Sequence, residues 1–438
     1  MIRVEGFDKA KQLLTRKDFL ESLAASPRLS KQIENVFGEE LSPQEVVGRI
    51  ISDVRNRGDE ALFRYASKLD DVKLDSLEVS RQEVSAAWGM VDEKLIAALE
   101  LAAKRIRDFH FACGYKRGTA FVSPFLGRKV QPVDRVGLYV PGGTAAYPST
   151  VLMTAIPAKV AGVREIIMAS PPGRSGNIPA PTLVAGDVAE VNHVFKVGGA
   201  QAIAALAFGT ESIPKVDKIC GPGNIFVTLA KRMVYGAVGI DGLEGPSEIV
   251  IIADETANPV LCAADLLAQA EHDPLASAIM ITDSADLANQ VDRQIEAQLA
   301  ELQRRSIATE AISRGVIVLV NSIDEAIELV NLYAPEHLSL IVSDASSLTS
   351  RIDNAGCIFV GEDSPVVLGD YVAGPSHVLP TGGSGRFSSP LGVEDFLKFT
   401  NIVSLDKATM QELSQAAITI ARVEGLDAHA QSIERRLK

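Results

Sequence analysis

The chain has 438 residues, of which 47% are hydrophobic and 23% are charged, the balance of an ordinary globular protein. At roughly 150 residues per domain, this length predicts two or three domains. The formal net charge is −13, and no long run of lysine or arginine occurs. Because a protein that binds duplex nucleic acid needs clustered cations, the charge pattern argues against that class of function.

The N-terminal segment, residues 1–14, has no apolar core of signal-peptide length, and the chain has no continuous apolar run long enough for a membrane span. We therefore predict a cytoplasmic protein; an organelle protein whose transit peptide has been removed would have the same features. The four cysteines lack the spacing of a thiolate zinc site, and this context disfavours disulfides. Cys220, beside Gly221-Pro222-Gly223, is either a catalytic thiol or, as we prefer, a small buried apolar residue.

Residues 1–115 are predicted to be mostly helical, most clearly over 93–112, where apolar residues recur with the helical period. From Val136 onward, short apolar runs alternate with helical stretches. The runs fall at 137–140, 166–169, 194–197, 249–252, 278–281, 316–320, 338–342 and 357–360. Continuous apolar runs are typical of strands buried on both faces, so the alternation predicts an α/β fold with largely parallel sheets. A Gly/Pro-rich hinge at 242–246 favours two domains over one wide sheet.

After Gly392 the strand signal fades and a polar tail follows. The pattern predicts one helix over 409–423, ended by Gly425, and a second over 429–437, capped by Asp427. Two polar helices with little core of their own usually pack on something else, often on a partner subunit.

Three glycine-rich segments each follow a predicted strand: 140–143, 197–201 and 220–224. Glycines at a strand-to-helix turn let backbone N–H groups approach a ligand phosphate. None of the three is the G-x-G-x-x-G dinucleotide fingerprint, and each alone is more simply a tight turn. Three of them close together strengthen the case for a nucleotide-like ligand, since ligand crevices form where several strand ends meet.

Of the six histidines, we expect His110 and His193 to be structural. His272 lies three residues after Gln269 near the end of a predicted helix, so the two side chains share one face. They are either metal ligands or an ordinary polar helix end.

Glu336 and His337 stand side by side between Pro335 and a predicted strand, where they form either an acid/base couple or a chance surface pair. Asp370 and His377 share a Gly/Pro-rich loop, and loops on a rigid scaffold often carry function. Glu424 and His429 bracket the turn between the two tail helices. Four of the six histidines thus stand close to a carboxylate or an amide, which is a moderate indication of one shared site.

At these residues the chain resembles the histidinol dehydrogenases. The segments 137–154, 197–210, 219–235, 241–254, 265–274, 333–340, 368–396 and 422–430 are similar to the family's signature blocks and follow its order. The resemblance covers residues 30–438; residues 110–130 are the least similar, and Glu244 stands where a small residue is expected. The resemblance implies a zinc-requiring, NAD-dependent four-electron oxidation of L-histidinol to L-histidine through histidinaldehyde, the last steps of histidine biosynthesis.

The resemblance also implies roles for individual residues. One zinc ion per subunit would be bound by Gln269, His272, Asp370 and His429. Besides these ligands, the substrate would contact Ser247, His337, His377 and Glu424, and NAD would contact Tyr139, Gln201 and Asn224. His337 would take the hydroxyl proton in the first oxidation, and Glu336 would activate water for the second. A thiohemiacetal on Cys220 is the rival route for the second step.

For the fold, the resemblance implies two Rossmann-like domains with incomplete nucleotide-binding motifs and helical extensions at both ends. The expected divisions are an N-terminal extension over 1–24, a first α/β domain over 25–120 and 247–390, a second over 121–246, and a tail over 391–438. The tail would be exchanged between the subunits of a homodimer. We expect neither nucleic acid nor a membrane as a partner.

Three alternatives stay open at this point. The first is a related zinc and NAD dehydrogenase of another small polar alcohol, such as a sulfonated diol; the carboxylate of Glu424 would repel a sulfonate. The second is a zinc hydrolase in which Glu336 activates water; the glycine-rich loops and the lack of H-E-x-x-H argue against it. The third is a non-enzymatic two-domain binding protein, which the acid/base pair and the lack of a secretion signal disfavour.

Overall fold

The computed structural model describes residues 1–16, 27–114, 118–142 and 145–438. Within these ranges the strands are β1 (Ile2–Glu5), β2 (Gly118–Phe121), β3 (Leu126–Pro132), β4 (Arg135–Tyr139), β5 (Glu165–Ser170), β6 (His193–Lys196), β7 (Lys218–Cys220), β8 (Gly239–Ile240), β9 (Glu248–Ala253), β10 (Ser277–Thr282), β11 (Val316–Leu319), β12 (His337–Ile341), β13 (Cys357–Val360) and β14 (Leu397–Val403).

The α-helices of the same ranges are α1 (Phe7–Leu14), α2 (Pro27–Phe37), α3 (Pro43–Arg57), α4 (Asp59–Leu69), α5 (Arg81–Trp88), α6 (Glu93–Cys113), α7 (Pro148–Ala161), α8 (Ala180–Val188), α9 (Gly199–Phe208), α10 (Ile225–Val234), α11 (Pro259–Ala270), α12 (Ala285–Leu299), α13 (Arg305–Arg314), α14 (Ile323–Tyr333), α15 (Ala345–Leu348), α16 (Val366–Tyr371), α17 (Lys407–Val423) and α18 (Asp427–Leu437). Short 3-10 turns lie at Thr349–Arg351, Ser384–Arg386 and Val393–Phe396.

Two parallel sheets form the body of the protein. One has six strands in the order β1-β11-β10-β9-β12-β13, and the other has five in the order β6-β5-β4-β7-β8. Apart from β1, both sheets repeat one pattern, in which the third, second, first, fourth and fifth strands in chain order lie side by side. This is the order of dinucleotide-binding α/β folds. The prediction of an α/β protein with parallel sheets is confirmed.

Strand β9 shows why the apolar runs are continuous. It is buried along its whole length at the centre of the six-stranded sheet. Ile249 and Ile251 join a core with α11, α12 and α13, whereas Val250 and Ile252 join a core with α1 and α14. Because successive side chains of a strand point to opposite faces, both faces of this strand need apolar residues.

The N-terminal segments pack differently from the predicted division. Residues 1–24 were expected to be a helical extension, but Ile2–Glu5 forms a strand that pairs with β11 before α1 begins; residues 17–24 lie outside the described residues. Apolar residues of α2, α3 and α4 share a core with the five-stranded sheet, whereas the prediction grouped 25–120 with 247–390. An amphipathic helix carries an apolar stripe in its sequence, but the stripe does not say which sheet it will cover.

A second compact unit contains β2, β3 and β14 in one antiparallel sheet, together with α17 and α18. The two predicted tail helices are present, and Gly425 ends α17 in the left-handed region (φ 73°), as expected. Asp427 is the first helical residue of α18 and not its N-cap, which is Leu426. Strand β14 was not predicted, because its side chains are mostly exposed and lack the apolar run that marks a buried strand.

None of the helices in the described ranges combines the length and the apolar character of a membrane span.

Candidate active site

One cavity of about 490 Å³, here called the site cavity, brings together most of the polar residues singled out in the sequence. The predicted residues that line it are Asn224, Ser247, Gln269, His272, Glu336, His337, Asp370 and His377. Two others, Tyr139 and Gln201, lie outside this lining as far as the described residues define it. Glu424 and His429 belong to the second compact unit, and both are exposed there.

The two sheets approach the site cavity with opposite ends. On the six-stranded sheet, Ser247 precedes β9 and Glu336 precedes β12, so the amino ends of these strands contribute. On the five-stranded sheet, Pro141 follows β4 and Pro222–Asn224 follows β7, so the carboxyl ends contribute. Helix α11 runs back along the six-stranded sheet and therefore brings its C-terminal end to the same side as Glu336.

Glu336 and His337 are both buried, and the backbone of Glu248 holds them in place. The Glu248 N–H donates to Glu336 Oε2 at 2.7 Å, and His337 Nδ1 lies 2.9 Å from the Glu248 carbonyl oxygen. Because a carbonyl can only accept, Nδ1 of His337 carries the proton of this bond. In the neutral ring, Nε2 is then the proton acceptor. It lies 3.3 Å from Asp370 Oδ1 and, within the described part of the chain, has no aligned hydrogen-bond partner.

The surroundings shift the pKa values of both groups upward. Burial raises the pKa of Glu336 to about 8, against the opposing effect of the neighbouring His337. Burial alone would lower the pKa of His337, but the carboxylates of Glu336 and Asp370 outweigh burial and raise it to about 9. Two titratable groups held side by side in a cavity wall, with pKa values of about 8 and about 9, are suited to proton transfer in alkaline solution.

Gln269 and His272 sit at the C-terminal end of α11, where the His272 N–H donates to the Gln269 carbonyl at 3.3 Å. Gln269 is buried, whereas His272 keeps an exposed edge at the mouth of the cavity. Packing around the rest of its ring nevertheless lowers the pKa of His272, partly opposed by Asp370, and favours the neutral imidazole. A neutral imidazole offers a lone pair to a metal.

Asp370 lies at the end of α16, among the histidines of the site. Burial alone would raise the pKa of Asp370, but the imidazoles around it, first that of His337, outweigh burial and lower it. Its backbone carbonyl accepts a hydrogen bond from His377 Nδ1 at 2.8 Å. Burial lowers the pKa of His377 in turn, so this ring also favours its neutral form.

The side chains around the site cavity fit a metal ion in part. In the described ranges, no three side chains of the types His, Cys, Asp and Glu form a cluster that could hold one. Gln269 is not one of those types, and His429 belongs to the second unit. An imidazole nitrogen, a carboxylate oxygen and an amide oxygen do face one cavity, and zinc accepts nitrogen and oxygen ligands of these kinds. The donor chemistry therefore fits zinc with an incomplete ligand set.

Of the predicted NAD contacts, Asn224 caps α10, and its Oδ1 accepts from the N–H groups of Phe226 and Val227 at 3.1 and 3.2 Å. The side-chain NH₂ of Asn224 thus stays available at the cavity. Tyr139 is buried, and its hydroxyl accepts from the Gly199 N–H at 3.1 Å. Gln201 is buried beside Gly199, and its Oε1 has no hydrogen-bond partner among the described residues. A buried acceptor of this kind calls for a donor from a ligand or from water.

The loop after β4 was predicted as 140–143; Gly143 lies outside the described residues.

The loop after β7 is held by a buried cluster that sequence reasoning missed. Lys231, with a side chain that is 0% exposed, contacts Asp241 Oδ1 at 2.5 Å and Glu244 Oε2 at 2.6 Å. Its Nζ also donates to the Gly221 carbonyl at 3.1 Å, while Asp241 Oδ2 accepts from the Gly221 N–H at 2.6 Å. The sequence signals were a lysine within an apolar helix and Glu244 at a position where a small residue is expected.

Cys220 is fully buried at the end of β7, and burial raises the pKa of its thiol well above the ordinary value. It is not part of the site-cavity lining given by the described residues. Since the thiolate is the nucleophilic form, these surroundings agree with the interpretation of Cys220 as a small buried residue.

Comparisons with known proteins point to one family. The histidinol dehydrogenase family model matches residues 38–437. A histidinol dehydrogenase of Dehalococcoides mccartyi (strain CBDB1) is 51% identical, with 99% of each chain covered. That of Clostridium acetobutylicum is 50% identical over 89% of this chain and 91% of its own. The crystal structure of histidinol dehydrogenase from Elizabethkingia anophelis is 35% identical, with a TM-score of 0.91 over 100% of this chain and 98% of its own. The chain belongs to the histidinol dehydrogenase family.

Proposed function

We propose that the site cavity is where this chain carries out its family's reaction, the NAD-dependent oxidation of L-histidinol to L-histidine. The observation that carries the proposal is the buried Glu336–His337 pair. It is held by the Glu248 backbone, opens on the cavity and lies opposite the loops of a dinucleotide-type sheet. We further propose that the protein works in the cytoplasm.

We propose that one zinc ion per subunit is held by Gln269, His272 and Asp370, with His429 as the fourth ligand. Asp370 is the only anionic member of this set. When bound, zinc supplies a Lewis-acid template that orients the amine and imidazole of histidinol, and NAD supplies the hydride acceptor. Gln269 and His272 bring their donors to the cavity at a helix C-terminus, the end of a helix that attracts cations.

The substrate contacts follow from its chemistry. Free histidinol carries a cationic amine, a neutral imidazole and a hydroxyl, and the amine must lose a proton before its nitrogen can bind zinc. The carboxylate of Glu424 would bind the amine, while Ser247 and His377 would supply hydrogen bonds from the cavity wall. His377 is fixed for this task because its Nδ1 is already bonded to the Asp370 carbonyl, which leaves Nε2 as an acceptor.

In the first oxidation, the neutral form of His337 accepts the hydroxyl proton at Nε2 while a hydride leaves the carbinol carbon, giving the aldehyde. Because the pKa of His337 is raised to about 9, this neutral form is populated in alkaline solution. The tautomer required of His337 is the one set by the Glu248 carbonyl. In the second oxidation, Glu336 accepts a proton from water as the water oxygen adds to the aldehyde carbon. The adduct is the hydrate anion, RCH(OH)O⁻, because Glu336 has taken one proton of the water. Loss of a hydride from its carbon gives the carboxylic acid, which then releases its proton to become the carboxylate. Two hydrides thus leave each histidinol.

For NAD we propose contacts with Tyr139, Gln201 and Asn224. Asn224 lies at the N-terminus of α10 and Gln201 in the first turn of α9, and helix N-termini favour the negative charge of a pyrophosphate. The unpartnered Oε1 of Gln201 would accept from a cofactor hydroxyl or amino group.

We propose that the protein is a homodimer that exchanges its C-terminal tails, so that Glu424 and His429 complete the cavity of the other subunit. In support, both residues are exposed, and the unit that carries them exposes many large apolar side chains. They include Phe121, Val122, Val403, Ile420 and Val423. Exposed apolar surface on a small unit marks an interaction site.

The tail exchange is tested by mixing two inactive variants. His272→Ala removes a ligand from the body, and His429→Ala removes one from the tail. In a mixed dimer one site carries both lesions and the other carries none, so activity should return to up to about half of the wild-type value per dimer. A mixture that stays inactive although heterodimers form would show that each tail serves its own subunit.

The reaction is tested by following NADH formation from L-histidinol with purified protein. We expect two NADH per histidinol, little free aldehyde, and about one zinc per chain by elemental analysis, as the single proposed ligand set requires. A chelator should abolish turnover and remove the metal, and added zinc should restore both. Absence of NADH formation would refute the reaction, whereas full activity in metal-free protein would refute only the zinc site.

A further inference from the structure

Glu248 touches the acid/base pair only through its backbone, and its side chain points to a different task. The Glu248 carboxylate is nearly buried, with 8% of the side chain exposed, and Arg16 binds it in a bidentate manner. Arg16 Nη1 donates to Oε1 at 2.6 Å and Nη2 to Oε2 at 2.7 Å. The Gly382 N–H donates to Oε1 at 3.3 Å. An arginine–carboxylate pair with two parallel hydrogen bonds fixes both the orientation of the carboxylate and its distance from the guanidinium group.

The same arginine also binds the segment that immediately precedes Glu336. Arg16 Nε donates to the Tyr333 carbonyl at 2.7 Å, and the guanidinium lies over the Tyr333 ring at 3.7 Å from its centre. Nη2 also lies 3.4 Å from the Ala334 carbonyl. Tyr333 ends α14, and Ala334 is in the left-handed region (φ 52°). Arg16 thus ties the amino end of β9 to the turn that precedes Glu336.

The surrounding backbone leaves room for this arginine. Gly383 has φ +84°, and a Cβ built on it would lie 2.8 Å from Arg16 Cδ. Any other residue at Gly383 would therefore press on the arginine side chain as well as strain the backbone. Three separate segments, those of Arg16, Glu248 and Tyr333–Ala334, meet at one guanidinium group.

We propose that Arg16 is a positioning residue for the Glu336–His337 pair and acts through Glu248. This inference rests on the proposed function for its kinetic consequence. Arg16 fixes Glu248, the Glu248 N–H and C=O fix Glu336 and His337, and the grip on Tyr333 and Ala334 fixes the chain just before them. Arg16 itself faces neither substrate nor cofactor in this arrangement.

Removal of the guanidinium would leave the Glu248 carboxylate nearly buried without its partner. Such a carboxylate moves toward water or takes up a proton, and either change displaces the backbone groups that hold the pair. Catalytic groups must stay within a fraction of an ångström of their working positions. The loss should therefore appear in kcat, while binding of histidinol and NAD changes little.

The experiment compares Arg16→Met with Arg3→Met. Arg3 is a matched control, because it also lies near the N-terminus and grips a carboxylate, that of Asp292, together with the Ala288 carbonyl on α12. For Arg16→Met we expect kcat to fall about 10- to 100-fold with both KM values within about threefold, as for a displaced catalytic group. Arg3→Met should stay within about twofold of wild type, since surface ion pairs contribute little.

A second readout does not depend on the substrate. Hydrogen–deuterium exchange of peptides covering residues 333–340 should be faster in Arg16→Met than in wild type and unchanged in Arg3→Met. The inference is overturned if Arg16→Met matches Arg3→Met in this exchange. If wild-type protein makes no NADH from L-histidinol, the proposed function fails. The exchange comparison then still decides whether Arg16 holds residues 333–340 in place.

Two more variants separate positioning from general loss of fold. Glu248→Gln keeps the backbone groups that hold Glu336 and His337 but removes the negative charge of the carboxylate. Arg16→Lys keeps the positive charge but cannot donate two parallel hydrogen bonds to that carboxylate. If Arg16 and Glu248 act as a unit, the double variant Arg16→Met/Glu248→Gln should lose no more kcat than the worse single variant, and Arg16→Lys should lose less than Arg16→Met. Strictly multiplicative losses would show that the two residues act separately.

Discussion

The two parallel sheets share one strand order but present opposite ends to the site cavity. The six-stranded sheet offers the amino ends of β9 and β12 and the C-terminus of α11, all rich in titratable groups. The five-stranded sheet offers the carboxyl ends of β4 and β7 and the N-terminus of α10, rich in glycine and proline. Ligands of open α/β sheets usually bind at carboxyl ends, so only the five-stranded sheet follows the general rule.

At the carboxyl end of the six-stranded sheet, a buried carboxylate links two strand ends. Asp254, which follows β9, accepts from the Ser343 N–H at 2.8 Å and from the Thr256 N–H at 3.0 Å. Ser343 follows β12, so this carboxylate joins the two strand ends at the point where the strand order reverses. The same topology therefore places a candidate ligand cavity at the carboxyl end of one sheet and a buried structural carboxylate at that of the other.

Because the two sheets present opposite ends, the helix ends that they bring to the cavity carry opposite partial charges. Helix C-termini carry partial negative charge and helix N-termini partial positive charge. The six-stranded sheet thus meets the cavity with an end that favours the proposed zinc ion and the substrate amine, and the five-stranded sheet with one that favours the proposed cofactor phosphates. Four predictions test this division, starting with the largest effect.

The chemistry should reside on the six-stranded sheet. His337→Asn should slow alcohol oxidation by about 10²–10⁴-fold, because the hydroxyl proton loses its acceptor. Glu336→Gln should mainly slow oxidation of the aldehyde, because only that step consumes water. Single-turnover NADH formation from histidinol and from histidinaldehyde measures the two steps separately. Equal losses in both steps for both variants would show that the two residues do not divide the work.

We expect the five-stranded sheet to contribute to NAD binding through the shape of its loops and through the stability of the fold. Lys231→Met leaves Asp241 and Glu244 buried without their cation, which should destabilise the fold by about 3–5 kcal/mol. The loop at Gly221 should loosen, so the KM for NAD should rise more than that for histidinol. Denaturant unfolding and steady-state kinetics measure these effects. An unchanged KM for NAD in folded Lys231→Met would show that the cluster serves stability alone.

The Asp254 link between β9 and β12 should matter to stability and not to catalysis. Asp254→Asn removes a charged acceptor of backbone N–H groups and should cost about 1–3 kcal/mol of unfolding free energy. Its kcat should remain within about twofold of wild type, as for a structural site distant from the cavity. A kcat that falls strongly at unchanged stability would reveal a second functional end and break the comparison.

The last prediction concerns a pH effect at a buried histidine that has no charge partner among the described residues. His110 in α6, which packs on α7 behind β4, is buried, and burial lowers its pKa from 6.5 to about 4. Below pH 6.5 the unfolded chain binds a proton that the folded chain does not. Stability should therefore fall as the pH decreases from 6.5 toward 4, by up to about 1.4 kcal/mol per pH unit.

His110→Leu should remove this part of the pH dependence while leaving the rest, as measured by unfolding at pH 4.5, 5.5 and 6.5. An identical pH dependence in wild type and His110→Leu would show that His110 is not the responsible group. The contrast with His337 is informative, because that buried ring has two carboxylates nearby and its pKa moves upward.

Much of the local structure was predictable because it depends on neighbours in the chain. Continuous apolar runs marked eight of the eleven strands of the two parallel sheets, whereas β1, β7 and β8, which have two to four residues each, were not marked by such a run. Gly425 marked the end of α17. Glu336 with His337, and Gln269 with His272, were paired by their spacing, and both pairs line the site cavity. Their roles remain proposals. Strand β14 escaped prediction because an exposed antiparallel strand leaves no apolar run.

By itself, the sequence determined the fold class, the family and the local residue pairs, because periodicity, turn residues and short motifs act within a few positions of the chain. Only the tertiary structure decided that α2–α4 cover the five-stranded sheet, that Lys231 joins Asp241 to Glu244, and that Arg16 binds Glu248, 232 residues away. The physical reason is burial. A charge is stable inside a protein only when distant segments bring its partner to it, and such pairing leaves no local pattern.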